Sequence, residues 1–174
     1  MSTINYELGK VRGIVFDVDG VLSPATVTIG PDGVPRRMAN LRDGYAMVQA
    51  VKSGLWLAII SGGDEESVRK RFEIIGVQDI YLGAGDKLPL LHEWMGRRGL
   101  RAEEVIYVGD DVPDVAPMRA AGLAVAPCDA TPDAYMAAGH ITRAAGGYGV
   151  AREIIEEIMR DRGTWPGTSA SAGQ

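Results

Sequence analysis

A chain of 174 residues is long enough to bury one substantial core and too short for two ordinary domains. Apolar residues make up 46% and charged residues 24%, a globular rather than a disordered composition. The formal net charge of −5 argues against a nucleic-acid or anionic-membrane partner, so any phosphate bound here needs a local device: a metal, a lysine or free backbone N–H groups.

In chain order, the N-terminal segment (MSTINYELGKVRG) lacks the long apolar stretch of a signal peptide. No apolar run approaches the ~20 residues that span a bilayer. The single cysteine, Cys128, cannot form an internal disulfide, which agrees with a reducing compartment. A cytoplasmic protein is expected.

Near-continuous apolar runs at Val11–Phe16, Leu55–Ile60, Ile80–Leu82, Val105–Val108 and Leu123–Ala126 predict buried strands. Between and after them, Tyr45–Lys52, Glu65–Ile75, Lys87–Arg98, Val112–Ala121 and Val150–Arg162 carry apolar residues at helical spacing. This alternation predicts an α/β fold, a doubly wound parallel sheet with helices on both faces. Thr26–Ile29 and Pro35–Ala39 flank the turn signal Pro31-Asp32-Gly33 and predict a short β-hairpin, too small to be a cap domain. One domain is expected over residues 1–162. The segment 163–174 (GTWPGTSASAGQ) has linker composition and is expected to be a flexible tail.

Ligands of such sheets bind beyond the carboxyl ends of the strands. The first strand runs into Asp17-Val18-Asp19-Gly20-Val21, and the fourth into Gly109-Asp110-Asp111-Val112-Pro113-Asp114. Either cluster alone is equally an ordinary turn or helix cap. Together they gather several carboxylates at one sheet edge, where like charges repel unless a cation intervenes; oxygen donors favour Mg²⁺. Ser61-Gly62-Gly63 follows another strand and offers a hydroxyl and N–H groups to a phosphate, and Lys87 supplies a positive charge. These last two gain weight only from their order and position.

In that order, DVDGV at Asp17–Val21, Ser61, Lys87 and GDDVPD at Gly109–Asp114 resemble the four motifs of the haloacid dehalogenase superfamily of phosphatases. NLRDGYAM, GAGDKL, EEVIYVGDDVPDVAPM and AAGGYGVARE narrow the likeness to the 3-deoxy-D-manno-octulosonate 8-phosphate phosphatase group, over roughly residues 10–160. The resemblance implies a Rossmann-like fold without a cap domain, a homotetramer, and Mg²⁺-dependent hydrolysis of a small phosphorylated sugar acid through an aspartyl-phosphate. It implies Asp17 as nucleophile and Asp19 as general acid and base. By the same resemblance, Asp17, the Asp19 carbonyl and Asp110 are expected to hold the metal, with Asp111 and Asp114 behind them, and Ser61, Gly62 and Lys87 to hold the phosphoryl oxygens.

One departure stands out. The group's Thr-Gly-Arg is here Ser61-Gly62-Gly63, so the arginine is missing, and Gly63 also differs from the glutamate of phosphatases acting on sialic-acid-type 9-phosphates. Arg42 and Arg71 are candidates for a sugar carboxylate, or else solvated side chains. Arg152 reads as structural, and Gly146, Gly147 and Gly149 as a close backbone turn beside the site. His92 and His140 lack metal-ligand spacing, and Trp56 and Trp94 read as core or interface. The alternatives are a sialic-acid-type 9-phosphate phosphatase, a catalytically idle oligomerisation module and a phosphoacceptor signalling domain. Against the last, the acid pair belongs near the first strand in a receiver, and here the second cluster follows a later one.

Overall fold

The computed structural model describes residues 2–167. Six strands form one parallel sheet in the order β5-β4-β1-β6-β7-β8, from β1 (Gly13–Phe16), β4 (Trp56–Ile60), β5 (Asp79–Tyr81), β6 (Val105–Val108), β7 (Leu123–Ala126) and β8 (His140–Ile141). β1 lies at the centre, with Phe16 level with Ile59 on one side and Val108 on the other. Both acidic segments therefore leave adjacent strands at the same level.

Strand alternation sends successive side chains to opposite faces. Ile14, Phe16, Ile106 and Val108 join a core with α1 (Leu41–Lys52), α2 (Glu66–Ile75) and α6 (Val150–Asp161). Val15, Val105 and Tyr107 join a second core with α3 (Lys87–Arg98), α4 (Val112–Ala120) and α5 (Pro132–Ala137). The two-sided parallel sheet expected from the apolar runs is thus present. Trp94 is fully buried and donates to Asp79 Oδ2, and Trp56 lies under the Arg98 guanidinium.

The hairpin is shorter than predicted: β2 (Thr28–Ile29) pairs antiparallel with β3 (Pro35–Arg36). After β3 the chain leaves the ladder, and Met38 N donates to Ser23 Oγ instead. Among the described residues no larger insertion covers the sheet edge. β8 and α5 were not predicted: a two-residue strand and a six-residue helix are too short to show a period.

The boundary expected at residue 162 leaves out Trp165, which is 5% exposed. Its ring packs edge-on against Tyr45 and beneath the Arg152 guanidinium, 4.5 Å away. An indole buried this way adds apolar area that linker composition alone does not reveal. The remainder of the expected tail, 168–174, lies outside the described residues.

Candidate active site

The end of β1 presents Asp17 at the floor of a pocket of about 350 Å³, lined also by Asp19, Ala25, Gly62, Gly63, Lys87, Asp110, Asp111 and Asp114. Asp17 is 6% exposed; its Oδ1 accepts from the Val18 N–H at 2.7 Å, and its Oδ2 lies 2.9 Å from Lys87 Nζ. Burial, and then the neighbouring Asp114 charge, push the Asp17 carboxyl well above its ordinary range, while Lys87 opposes them. Lys87 opens α3 behind the Asp86 cap, which accepts from the Leu88 N–H. Burial works against its ammonium, but Asp17 and Asp114 outweigh that and hold its pKa above the ordinary lysine value.

Asp114 is fully buried and surrounded by donors. Its Oδ1 accepts from Lys87 Nζ at 2.8 Å and from the Tyr107 hydroxyl at 2.9 Å; its Oδ2 accepts from the Asp110 N–H at 3.1 Å. With its lone pairs so committed, Asp114 orients its neighbours rather than facing the pocket freely. Asp111 caps α4, accepting from the Val112 N–H, and is exposed at the pocket's edge.

Asp110 differs from both. Its carboxyl is pushed up to about 7, by burial first and then by Asp114 and Asp111. A Cβ built on Gly20 would fall 1.9 Å from Asp110 Oδ2, so glycine, with its positive φ of 78°, is what lets this carboxylate reach the backbone just after Asp19. Asp17, Asp110 and Asp114 each place one oxygen within 4.8 Å of the others. Three hard oxygen donors gathered this closely fit a hard divalent cation.

Ser61 is buried behind Gly62 and Gly63, which line the pocket, and its Oγ accepts from the Gly63 N–H at 3.3 Å. The helix after it starts only at Glu66, so the loop residues Gly62 and Gly63, rather than a helix terminus, line the pocket. The glycine run is where the sequence places it: Gly147 N–H donates to Val21 O at 2.8 Å, and a Cβ on Gly146 would fall 2.1 Å from Gly20 O. Arg42 and Arg71 are not brought to this pocket. Arg42 lines an open surface groove with Arg143 and Arg152, and Arg71 lines a separate cavity of about 250 Å³ between α1 and α2. Arg152 sits where a structural reading puts it, bonded to Glu156 and stacked on Trp165.

The sequence reading missed Arg37. Just beyond β3, it grips Asp19 with two parallel bonds, Nε to Oδ1 and Nη2 to Oδ2, both 2.8 Å. Its Nη1 lies 2.5 Å from Glu65 Oε2. Asp19 first, and Glu65 after it, hold the guanidinium charged. Hairpin arginines are usually solvated, and nothing in the local pattern marks this one.

No protein-family model matches the chain. Over 154 residues it is 35% identical to the 3-deoxy-D-manno-octulosonate 8-phosphate phosphatase KdsC of Escherichia coli strain K12, covering 88% of this chain and 82% of that protein. The chain belongs to this phosphatase family. The family's solved structures carry the same fold. That of the Yersinia pestis 3-deoxy-D-manno-octulosonate 8-phosphate phosphatase superposes with a TM-score of 0.88 at 33% identity, covering 92% of this chain and 86% of that one. The Moraxella catarrhalis 3-deoxy-D-manno-octulosonate 8-phosphate phosphatase, solved with magnesium ion, phosphate ion and KDO, superposes with a TM-score of 0.84 at 29% identity, covering 88% of each chain.

Proposed function

We propose that this phosphatase acts on 3-deoxy-D-manno-octulosonate 8-phosphate, with Mg²⁺, through an aspartyl-phosphate on Asp17. The observation that carries this reading is the seat of Asp17: a buried carboxylate ending the central strand, against Lys87, with Asp110 and Asp114 oxygens within 4.8 Å.

Asp17, the Asp19 backbone carbonyl and Asp110 would hold the metal, with Asp111 and Asp114 behind them. Bound there, Mg²⁺ supplies charge neutralisation to the carboxylates and to the phosphoryl oxygens. Ser61 Oγ, the Gly62 N–H and Lys87 Nζ bind the phosphoryl oxygens and aim the phosphorus at Asp17. An Asp17 oxygen attacks in line, the bond from phosphorus to the sugar oxygen breaks, and Asp19 gives that oxygen its proton. Asp19 then takes a proton from water as the water oxygen attacks the phosphoryl group, releasing inorganic phosphate and restoring the Asp17 carboxylate.

Ile29 on the hairpin, Met38 after it, Leu41 at the start of α1 and Ile74 near the end of α2 are exposed apolar side chains, which agrees with the expected homotetramer. No helix among the described residues is long and apolar enough to cross a membrane.

The test is phosphate release from 3-deoxy-D-manno-octulosonate 8-phosphate, a sialic-acid-type 9-phosphate and glucose 6-phosphate, each with Mg²⁺ and with EDTA. Mg²⁺-dependent preference for the first supports the reading; preference for the second moves the substrate; no release from any removes the enzyme. Phosphoprotein trapped by rapid acid quench, and mapped to Asp17, tests the intermediate.

A further inference from the structure

Asp19 is 38% exposed at the pocket rim, yet both of its oxygens are taken by Arg37. A carboxylate so held is fixed toward the guanidinium, which hinders the step that Asp19 performs in the reaction above. Arg37 itself is only 12% exposed; its side chain lines the neighbouring 250 Å³ cavity and meets the Asp17 pocket through Asp19.

The seat of the guanidinium depends on Gly63. A Cβ at that position would fall 2.8 Å from Arg37 Nη2 and 2.9 Å from Glu65 Oε2, so any larger residue displaces the pair. Position 63 lacks a side chain, and an arginine from the hairpin fills the space beside it.

We propose that Arg37 is a specificity latch: a carboxylate on the substrate's leaving group takes the place of Asp19 on the guanidinium and thereby frees Asp19 for the leaving oxygen. A carboxylate is the matched occupant because it offers the same two parallel acceptors that Asp19 now supplies. Glu65 keeps the guanidinium in place while the exchange occurs. A phosphate ester without a carboxylate leaves the latch closed and turns over slowly. The inference rests on the reading of Asp19 as acid and base.

The experiment compares kcat/KM for 3-deoxy-D-manno-octulosonate 8-phosphate and glucose 6-phosphate in the wild type, Arg37→Met, Arg37→Lys and Gly63→Ala. In Arg37→Met the preference ratio falls by at least about tenfold, the octulosonate losing through KM while glucose 6-phosphate gains in kcat. Arg37→Lys restores little, since an ammonium cannot hold two carboxylate oxygens in parallel. Gly63→Ala lowers the ratio by displacing the arginine without removing it. Calorimetry with unphosphorylated 3-deoxy-D-manno-octulosonate shows binding weakened about tenfold in Arg37→Met. An equal loss on both substrates makes Arg37 a phosphoryl anchor or a prop for Asp19 and overturns the latch, as does an unchanged ratio. A wild type that releases no phosphate from either ester overturns the enzymatic reading itself.

Discussion

Lys87 Nζ lies 2.9 Å from Asp17 Oδ2, and the pair is largely buried, the two side chains 5% and 9% exposed. The same ammonium serves Asp114 at 2.8 Å. With Asp110 ionised beside them, three carboxylates and one ammonium sum to −2, the charge that one divalent ion cancels. That balance, more than any single contact, explains why the pocket suits a metal-assisted phosphoryl transfer.

Asp17→Asn keeps the shape of the side chain and the acceptor for Val18 N–H but removes the oxygen proposed as the nucleophile. Turnover falls by at least about three orders of magnitude while the protein still melts cooperatively. Phosphate release and a thermal melt on the same sample check this. Turnover within tenfold of wild type would take the nucleophile role from Asp17.

Replacing Lys87 with Met strands two buried carboxylates. Breaking a buried pair costs about 3–5 kcal/mol, or roughly 10 °C in a protein of this size. Excess Mg²⁺ recovers part of the loss, because it neutralises the same carboxylates. A melting temperature equal to wild type without metal would show that the ammonium is not what supports Asp17 and Asp114.

Metal binding is expected to depend on pH in a defined direction. Asp110 titrates near 7 and Asp17 is also raised, so below neutrality protons compete with the cation. In the metal-free protein the raised Asp110 carboxyl contributes stability that is present below the unfolded value of about 4 and lost as pH rises through about 7, and Asp17 acts in the same direction. Mg²⁺ therefore raises the melting temperature more at pH 8 than at pH 5.5. Equal shifts at the two values would place the cation elsewhere.

Asp43, in the first turn of α1, is 3% exposed. Its Oδ1 accepts from Arg152 N–H at 2.7 Å, whereas its Oδ2 is buried without a hydrogen-bond partner among the described residues. Burial raises its pKa to about 6, with Arg152 opposing. Its contribution to stability is thus present below about pH 4 and fades as pH rises through 6. Asp43→Asn removes that dependence, so the variant gains on wild type between pH 4 and 8, by on the order of 2 kcal/mol at the upper end. Urea unfolding at the two pH values checks it; a variant less stable at pH 8 would show that the charge at 43 is needed.

The layered architecture and the acidic edge were legible because both rest on local pattern. Val105–Val108 is apolar throughout, and the strand matches those bounds. Asp17 and Asp110 followed from their places directly after two such runs. What the pattern could not show depends on where the hairpin folds back. Arg37 meets Asp19 only because the chain leaves β3 at Arg36 and anchors Met38 to Ser23, a path with no periodic signal. Arg42 and Arg71 drew attention by residue type alone, and their helices carry them to other surfaces. Trp165 was hidden by its glycine- and serine-rich neighbours, since burial of one indole leaves no mark in composition.

The central place of β1 bears on how the chain reaches its active form. Asp17 leaves β1, Lys87 follows β5, and Asp110 and Asp114 follow β6, which docks on β1 from far along the chain. No contiguous fragment carries the cluster, and a cation finds its ligands only after the slow, long-range pairing of β1 with β6 is complete. Mg²⁺ should therefore leave the refolding rate nearly unchanged and slow the unfolding rate, protecting the folded enzyme kinetically without guiding its assembly.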